Sequence, residues 1–331
     1  MKLAGLISIA FLVGGPGIAS AIGDEQLYPI QKDGKWGFID KQGRAVIQPT
    51  FEEASAFSGG LAAVRKNGLW GYVNSEGVVT VKPQFDEAFE FSDGLARVRK
   101  SEGLMGNFGY IDTEGKLVIG LEFDRAGDFS DGLAPVDRDD DGTLQFGYID
   151  KSGKVVIDAH FDDADRFSDG LARVKIGGKY GYIDTSGNMQ INPMFSMSGD
   201  FGAGRAPVEM NGKWGYINKS GRLVIMPQFD EAGAFYEGMA VVRIGWEYGF
   251  IEPLGQVVVN PHFDEARRFR DGLAAVRLQG KWGYIDDAGD LVIKPQFEHA
   301  GDFTNELASV TLNGKRFAIN KEGDLTWPQR D

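Results

Sequence analysis

Leu61-Ala62-Ala63-Val64-Arg65-Lys66-Asn67-Gly68-Leu69-Trp70-Gly71-Tyr72-Val73-Asn74-Ser75-Glu76-Gly77-Val78-Val79-Thr80-Val81-Lys82-Pro83-Gln84-Phe85-Asp86 decides the fold, because almost all of the remaining chain is a copy of it. Within it, Leu61 to Arg65, Leu69 to Asn74 and Val78 to Lys82 are short runs rich in β-branched and aromatic residues. Two glycine-ended turn signals, Lys66-Asn67-Gly68 and Ser75-Glu76-Gly77, separate them, so the stretch predicts a three-stranded antiparallel meander. From Pro83 to Gly94 the chain must return to start the next copy. There Asp86 is suited to cap a helical turn, with Ala88 and Phe91 three apart on its inner side.

Working outward, the pair Trp70-Gly71 recurs as Trp36-Gly37, Phe108-Gly109, Phe146-Gly147, Tyr180-Gly181, Trp214-Gly215, Tyr248-Gly249 and Trp282-Gly283, at spacings of 34 or 38 residues. A ninth, degenerate copy carries Arg316-Phe317 in its place. A period in this range signals stacked modules. Alternation in Trp36-Gly37-Phe38-Ile39 puts aromatic rings on one face and Gly37 and Ile39 on the other, while Val46-Ile47 is apolar on both. Both faces therefore need cover, which a sheet of three short strands cannot give itself, so copies are expected to stack face to face. The glycine is expected to let a ring of the adjacent copy approach the backbone. A row of rings could also form a sugar-binding or base-stacking stripe, but recurrence beside Gly and Ile points to packing.

Eight aligned aromatic-Gly pairs, flanked by Ile-Asp, Pro-x-Phe and Gly-Leu-Ala, resemble the WG (KWG) repeat family of mainly bacterial proteins, over essentially everything after residue 21. The resemblance implies a repeat scaffold used for interaction, often in exported proteins, with no catalytic residues to carry over. Departures are local: Leu121 and Ala159 replace the Pro, Ser196 the Asp, Arg205 the leucine and Glu306 the glycine of Gly-Leu-Ala. The fold expected is all-β, about nine three-stranded repeats in an open, curved solenoid, with a closed β-propeller as the alternative. The chain begins and ends in nearly the same phase, and nine units exceed the usual ~4–8 blades.

Residues 1–21 read as a secretory signal: Lys2, an apolar run from Leu3 to Val13, and the small-residue triplet Ala19-Ser20-Ala21. The run is shorter than the roughly 20 residues of a membrane span. Cleavage after Ala21 would leave residues 22–331 as one repeat domain with 34 basic and 48 acidic residues, a net charge of -14. The expected location is periplasmic or extracellular, not membrane-embedded. That acid excess, with no cluster of Lys or Arg, argues against a nucleic-acid partner. The chain has no Cys, which excludes disulfides, thiolate zinc sites and cysteine nucleophiles.

Phosphate loops and metalloprotease or serine-hydrolase signatures are absent from the sequence. His160 and His262 occupy one repeat position three copies apart, too far for a shared zinc, and with His299 read as surface residues. Acidic residues recur after the Ile (Asp40, Asp112, Asp150, Asp184, Asp286) and after the Phe (Asp86, Asp124, Asp162, Asp230, Asp264). A catalytic pair is needed once, a turn cap in every copy, so these read as caps. Arg65, Arg99, Lys175, Arg243 and Arg277 form a basic row expected to pair with neighbouring acids.

One turn differs. Asp137-Arg138-Asp139-Asp140-Asp141-Gly142 has the D-x-D-x-D-G spacing that could set Asp137, Asp139 and Asp141 around Ca²⁺, although Tyr148 stands where an EF-hand has its bidentate Glu. No other cofactor is expected. The second enlarged turn offers Leu104-Met105 as an exposed contact tip. The functional expectation is a non-enzymatic exported scaffold that binds a protein or a cell-envelope polymer such as a polysaccharide or peptidoglycan. Its rivals are a hydrolase using a carboxylate pair in a central cleft and a passive structural spacer.

Overall fold

The computed structural model describes residues 27–101, 106–137 and 145–328; the predicted signal at 1–21 and the Leu104-Met105 tip lie outside them. Asn and Asp followed by Gly dictate the local structure. Asp33-Gly34, Asn67-Gly68 and Asp93-Gly94 all adopt positive φ at both residues, as the two-residue turn of a tight hairpin demands. Each repeat accordingly folds into a small antiparallel sheet, called here a blade. Nine are present among the described residues, seven of four strands and two of three.

Blade 2 serves as the template. Its inner strand Glu53–Ser58 pairs with Leu61–Lys66, that with Leu69–Asn74, and that with the outer strand Val79–Phe85. The other blades span residues 28–51 (blade 1), 87–123 (blade 3), 125–161 (blade 4), 163–195 (blade 5), 205–229 (blade 6), 231–263 (blade 7), 265–297 (blade 8) and 299–327 (blade 9).

The returning segment is a strand, not the expected helical turn, and it belongs to the next blade. Glu87–Ser92 pairs with Leu95–Ser101 in the register Glu87↔Arg99, Ala88↔Val98, Phe91↔Ala96, with a bulge between Ala88 and Phe91. The bulge explains the misleading spacing: it rephases the strand so that two residues three apart face the same way. Blades therefore have four strands where the sequence predicts three. Blade 1 is an exception, and so is blade 6, where single bridges Ser198↔Val208 and Gly202↔Arg205 replace the inner ladder.

The glycine of each aromatic-Gly pair also has a different cause from the one expected. A Cβ on Gly71 would lie 2.7 Å from the Pro83 nitrogen, and one on Gly37 2.6 Å from that of Pro49. It is the outer strand of the same blade, bulged beside Gly71, that needs the space, not a ring of the neighbour.

The core lies between blades, as the apolar faces require. Tyr72 of blade 2 is fully buried and packs with Val81 and Phe85 of its own sheet and with Phe91, Val98 and Ile111 of blade 3. The enclosed ring is thus the residue two after the tryptophan; Trp36 and Trp70 are half-buried. Eight such ring pairs join successive blades, from Phe38–Phe57 to Tyr284–Phe303, with centroids 4.8–5.3 Å apart.

The ends meet, so the array is the closed nine-bladed propeller of the alternative reading rather than the open solenoid. Ile30 and Ile39 of blade 1 form one cluster with Leu307 and Ala318 of blade 9. Gly43 abuts the Thr326 backbone of blade 9 as Gly77 abuts Ile47 one interface on. Among the described residues no strand is shared between the two end sheets. Closure uses the same face packing as every other junction, which is why the absence of a shared blade does not prevent it.

Candidate interaction surface

Inner strands of successive blades touch directly. The Ser58 hydroxyl donates to the Phe91 carbonyl at 2.5 Å, Ser92 to Phe129 at 2.7 Å and Ser168 to Phe201 at 2.8 Å. Such closeness sets these strands at small radius around the axis, while the outer strands are the most exposed. Beside them, carboxylates in the turn after the inner strand link blade to blade. Asp93 accepts the Gly132 N–H (2.7 Å) and the Lys151 ammonium (2.8 Å); Asp169 accepts Gly204 N–H (2.6 Å) and Lys219 (2.7 Å). Asp131 and Glu237 accept N–H groups of the next turn in the same way, and Asp271 accepts the Glu306 N–H and Lys321. The Lys151 bond holds the Asp93 carboxyl below its ordinary range. At Asp169 burial pulls upward, but Lys219 and the Gly204 N–H outweigh it and the result is again low.

On this inner wall the middle of the inner strand and the third residue of the strand after it differ from copy to copy, and many are charged; the exposed outer strand varies too, as at Gln48, Lys82, Asp158 and Met226. Arg97 of blade 3 lies 3.4 Å from Asp128 of blade 4, stacks 3.8 Å over the Phe89 ring and donates to the Ala126 carbonyl. Arg173 of blade 5 pairs with Asp165 at 2.7 Å and donates to the Ser198 carbonyl of blade 6. Arg267 and Arg268 of blade 8 approach Asp302 of blade 9 at 4.0 and 3.7 Å. Asp200 departs from the belt: burial, and then the nearby Asp165 charge, push its carboxyl up against the pull of Arg173 and Arg166. Chemically the wall offers guanidinium groups and carboxylates side by side, a surface matched to a ligand that carries both signs.

A family model, "WG containing repeat", matches eight segments: 36–70, 70–103, 108–140, 146–180, 180–214, 214–245, 248–282 and 282–315. The chain belongs to the WG-containing repeat family. No functionally curated protein matches it. Among solved structures it is similar to PorZ, a bacterial surface component of the type-IX secretion system of Porphyromonas gingivalis, at 11% identity over 82% of this chain and 45% of that chain, TM-score 0.37. It is also similar to the dihydro-heme d1 dehydrogenase NirN (13% identity, 91% of this chain, 72% of that chain, TM-score 0.47). A functionally unknown protein from Desulfotomaculum acetoxidans is similar as well (14%, 71% and 95%, TM-score 0.39). The WG-repeat chain thus spans under half the length of PorZ.

Most residues singled out in the repeats have structural work. Asp40, Asp112, Asp150, Asp184 and Asp286 each accept N–H groups two and four residues on, closing the turn before the outer strand. In the second row, Asp86, Asp162, Asp230 and Asp264 accept N–H groups of the hairpin within their own blade, at Ser101, Gly178, Gly245 and Gly280. Arg65, Arg99, Arg243 and Arg277 pair with Glu53, Glu87, Glu231 and Glu265 at 2.5–2.8 Å. His160, His262 and His299 are exposed and in separate blades. Asp137 ends the strand Leu133–Asp137, enclosed and in register with Arg125 and Phe146; Asp139 and Asp141 lie outside the described residues. No helix of the described residues is long and apolar enough to cross a membrane. What sequence reasoning missed is the charged inner wall, although its signal, variation at two fixed places in the WG repeat, is visible once the copies are aligned.

Proposed function

We propose that this WG-repeat protein is an exported, non-enzymatic scaffold that binds a protein or a cell-envelope polymer through its inner wall. One observation carries the reading: Arg97, Asp128, Arg173, Asp200, Arg267, Arg268 and Asp302 gather on the inner wall, at positions where the copies differ and where core packing asks for no charge. The signal-like residues 1–21 support export. Peptidoglycan fits the mixed charge of the wall, since its peptides bear carboxylates and amines. Co-sedimentation of the chain spanning 22–331 with purified sacculi, beside the Arg267→Ala/Arg268→Ala variant, tests this. Retention at micromolar protein that falls in the variant supports the reading, and no retention of sacculi or of envelope proteins counts against it.

A second reading attaches to Asp165 and Asp200, two nearby carboxyls in unlike environments, which is the arrangement a hydrolytic acid pair requires. Turnover of a glycoside or peptide substrate that Asp200→Asn abolishes would favour it over the scaffold.

A further inference from the structure

Eight blades receive an inner segment, a strand in seven and a bridged stretch in blade 6, whose phenylalanine enters the face of the blade before. At the first junction Ala54 and Phe57 of blade 2 pack against Trp36, Phe38, Ile47 and Phe51 of blade 1. Blade 1 has no such strand among the described residues: Tyr28–Lys32 pairs with Lys35–Ile39 alone. The equivalents of Trp36, Gly37, Phe38 and Ile47 on blade 9 are Arg316, Phe317, Ala318 and Trp327. These four, with Tyr28 and Ile30, line a cavity of about 180 Å³. It lies where an inner strand of blade 1 would insert its small residue and its ring, and Ala318 leaves it wider than a tyrosine would.

We propose that an extended segment of a partner protein completes blade 1 here, pairing with the edge of Tyr28–Lys32 and placing an aromatic side chain in this cavity. An edge strand is a template for such pairing, and addition of a strand with side-chain pockets is an established recognition mode. A cavity of roughly 150 Å³ accepts benzene, so one phenyl ring fits. Pro29 is no obstacle: Pro135 and Pro207 stand at the same place in blades 4 and 6, where their carbonyls accept the inner-strand N–H of Gly127 and Gly199 at 2.8 and 2.9 Å. The eight inner segments specify the motif, a small residue and, three positions later, Phe. An acid before the small residue would face Gln31, which receives the Arg316 guanidinium at 3.3 Å, as Glu53 faces Arg65. The chain's own preceding residues do not carry that motif, because Ser20 and Gly23 fall where Ala54 and Phe57 stand one repeat later. The site is separate from the inner-wall clusters, so its failure leaves that reading standing.

The test is fluorescence anisotropy with a labelled peptide of this chain's own inner-strand sequence, Glu52 to Gly60, added to the chain spanning 22–331. Saturable binding is expected, weakened about tenfold or more when the peptide position of Phe57 is Ala, and likewise when Ala318→Trp fills the cavity in a variant that melts as the parent does. Hydrogen exchange should slow at Tyr28–Lys32 on binding. No saturable binding at millimolar peptide, equal binding of the Ala peptide, or unchanged exchange at this edge would overturn the proposal. So would a concentration-dependent dimer abolished by Ala318→Trp, since the occupant would then be a second copy.

Discussion

Tyr72 meets Phe91 across the boundary between blades 2 and 3, ring centroids 5.3 Å apart, and its hydroxyl donates to the Phe89 carbonyl at 2.9 Å. The same hydroxyl bond recurs from Tyr110 to Gly127, Tyr148 to Asp165, Tyr182 to Gly199, Tyr216 to Gly233 and Tyr284 to Gly301. Phe38 and Phe250 hold the ring without it. The ring contact is therefore the general device and the hydrogen bond an addition. Tyr72→Phe is expected to cost about 0.5–1.5 kcal/mol and Phe91→Ala about 3–5 kcal/mol, measured by urea denaturation. Equal effects would contradict a core held chiefly by ring packing.

Two glycines separate close approach from free space. A Cβ at Gly71 would strike the outer-strand backbone, whereas at Gly120, also inside a blade, nothing lies within 4 Å. Gly71→Ala should lower the melting temperature sharply or prevent folding. Gly120→Ala should be neutral or slightly stabilising, because it restricts the unfolded chain without strain.

Asp169 sits at φ 54° in its turn, a conformation that costs Ala more than Asn, although Ala203 adopts it at the same place one blade on. Asp169→Asn keeps an acceptor for the Gly204 N–H and loses the Lys219 ion pair, which is exposed and worth ~0–1 kcal/mol. Asp169→Ala loses both and adds ~1–2 kcal/mol of backbone strain. Thermal melts should rank parent, Asn, Ala in falling order.

Acid should loosen the ring in a defined direction. Folded Asp93 and Asp169 carboxyls lie below their unfolded values, so their stabilisation is fully present above about pH 4 and lost as the pH falls through the folded values. Asp200 is shifted upward, so its charge disfavours the fold above its unfolded value of about 3.9. Asp200→Asn should therefore melt higher than the parent at pH 7, with the difference vanishing below about pH 4. A constant difference across pH would refute the assignment.

Calcium is checked in the same way. If Asp137, Asp139 and Asp141 hold the ion, the melting temperature rises in millimolar Ca²⁺ relative to chelator, and Asp139→Asn/Asp141→Asn removes the rise. Identical curves dismiss the site.

Repeat number, strand order within a hairpin and the turns were legible in the chain itself, because Asn-Gly and Asp-Gly fix positive-φ turns locally and alternation fixes faces. The role of the acids after the Ile was legible for the same reason, since each bonds residues two and four positions on; those after the Phe bond a hairpin 15 or 16 residues away, not the local cap that their position suggests. Other features depend on partners distant in sequence. Ala88 and Phe91 have a helical spacing, and only pairing with Leu95–Ser101 makes their segment a bulged strand. Ring closure is a sum of small rotations from one blade to the next, which no single repeat encodes, and the meeting of Gly43 with Thr326 reports that sum. The inner wall follows from closure, since charges as far apart as Arg97 and Asp302 come to face one axis only when the circle is complete.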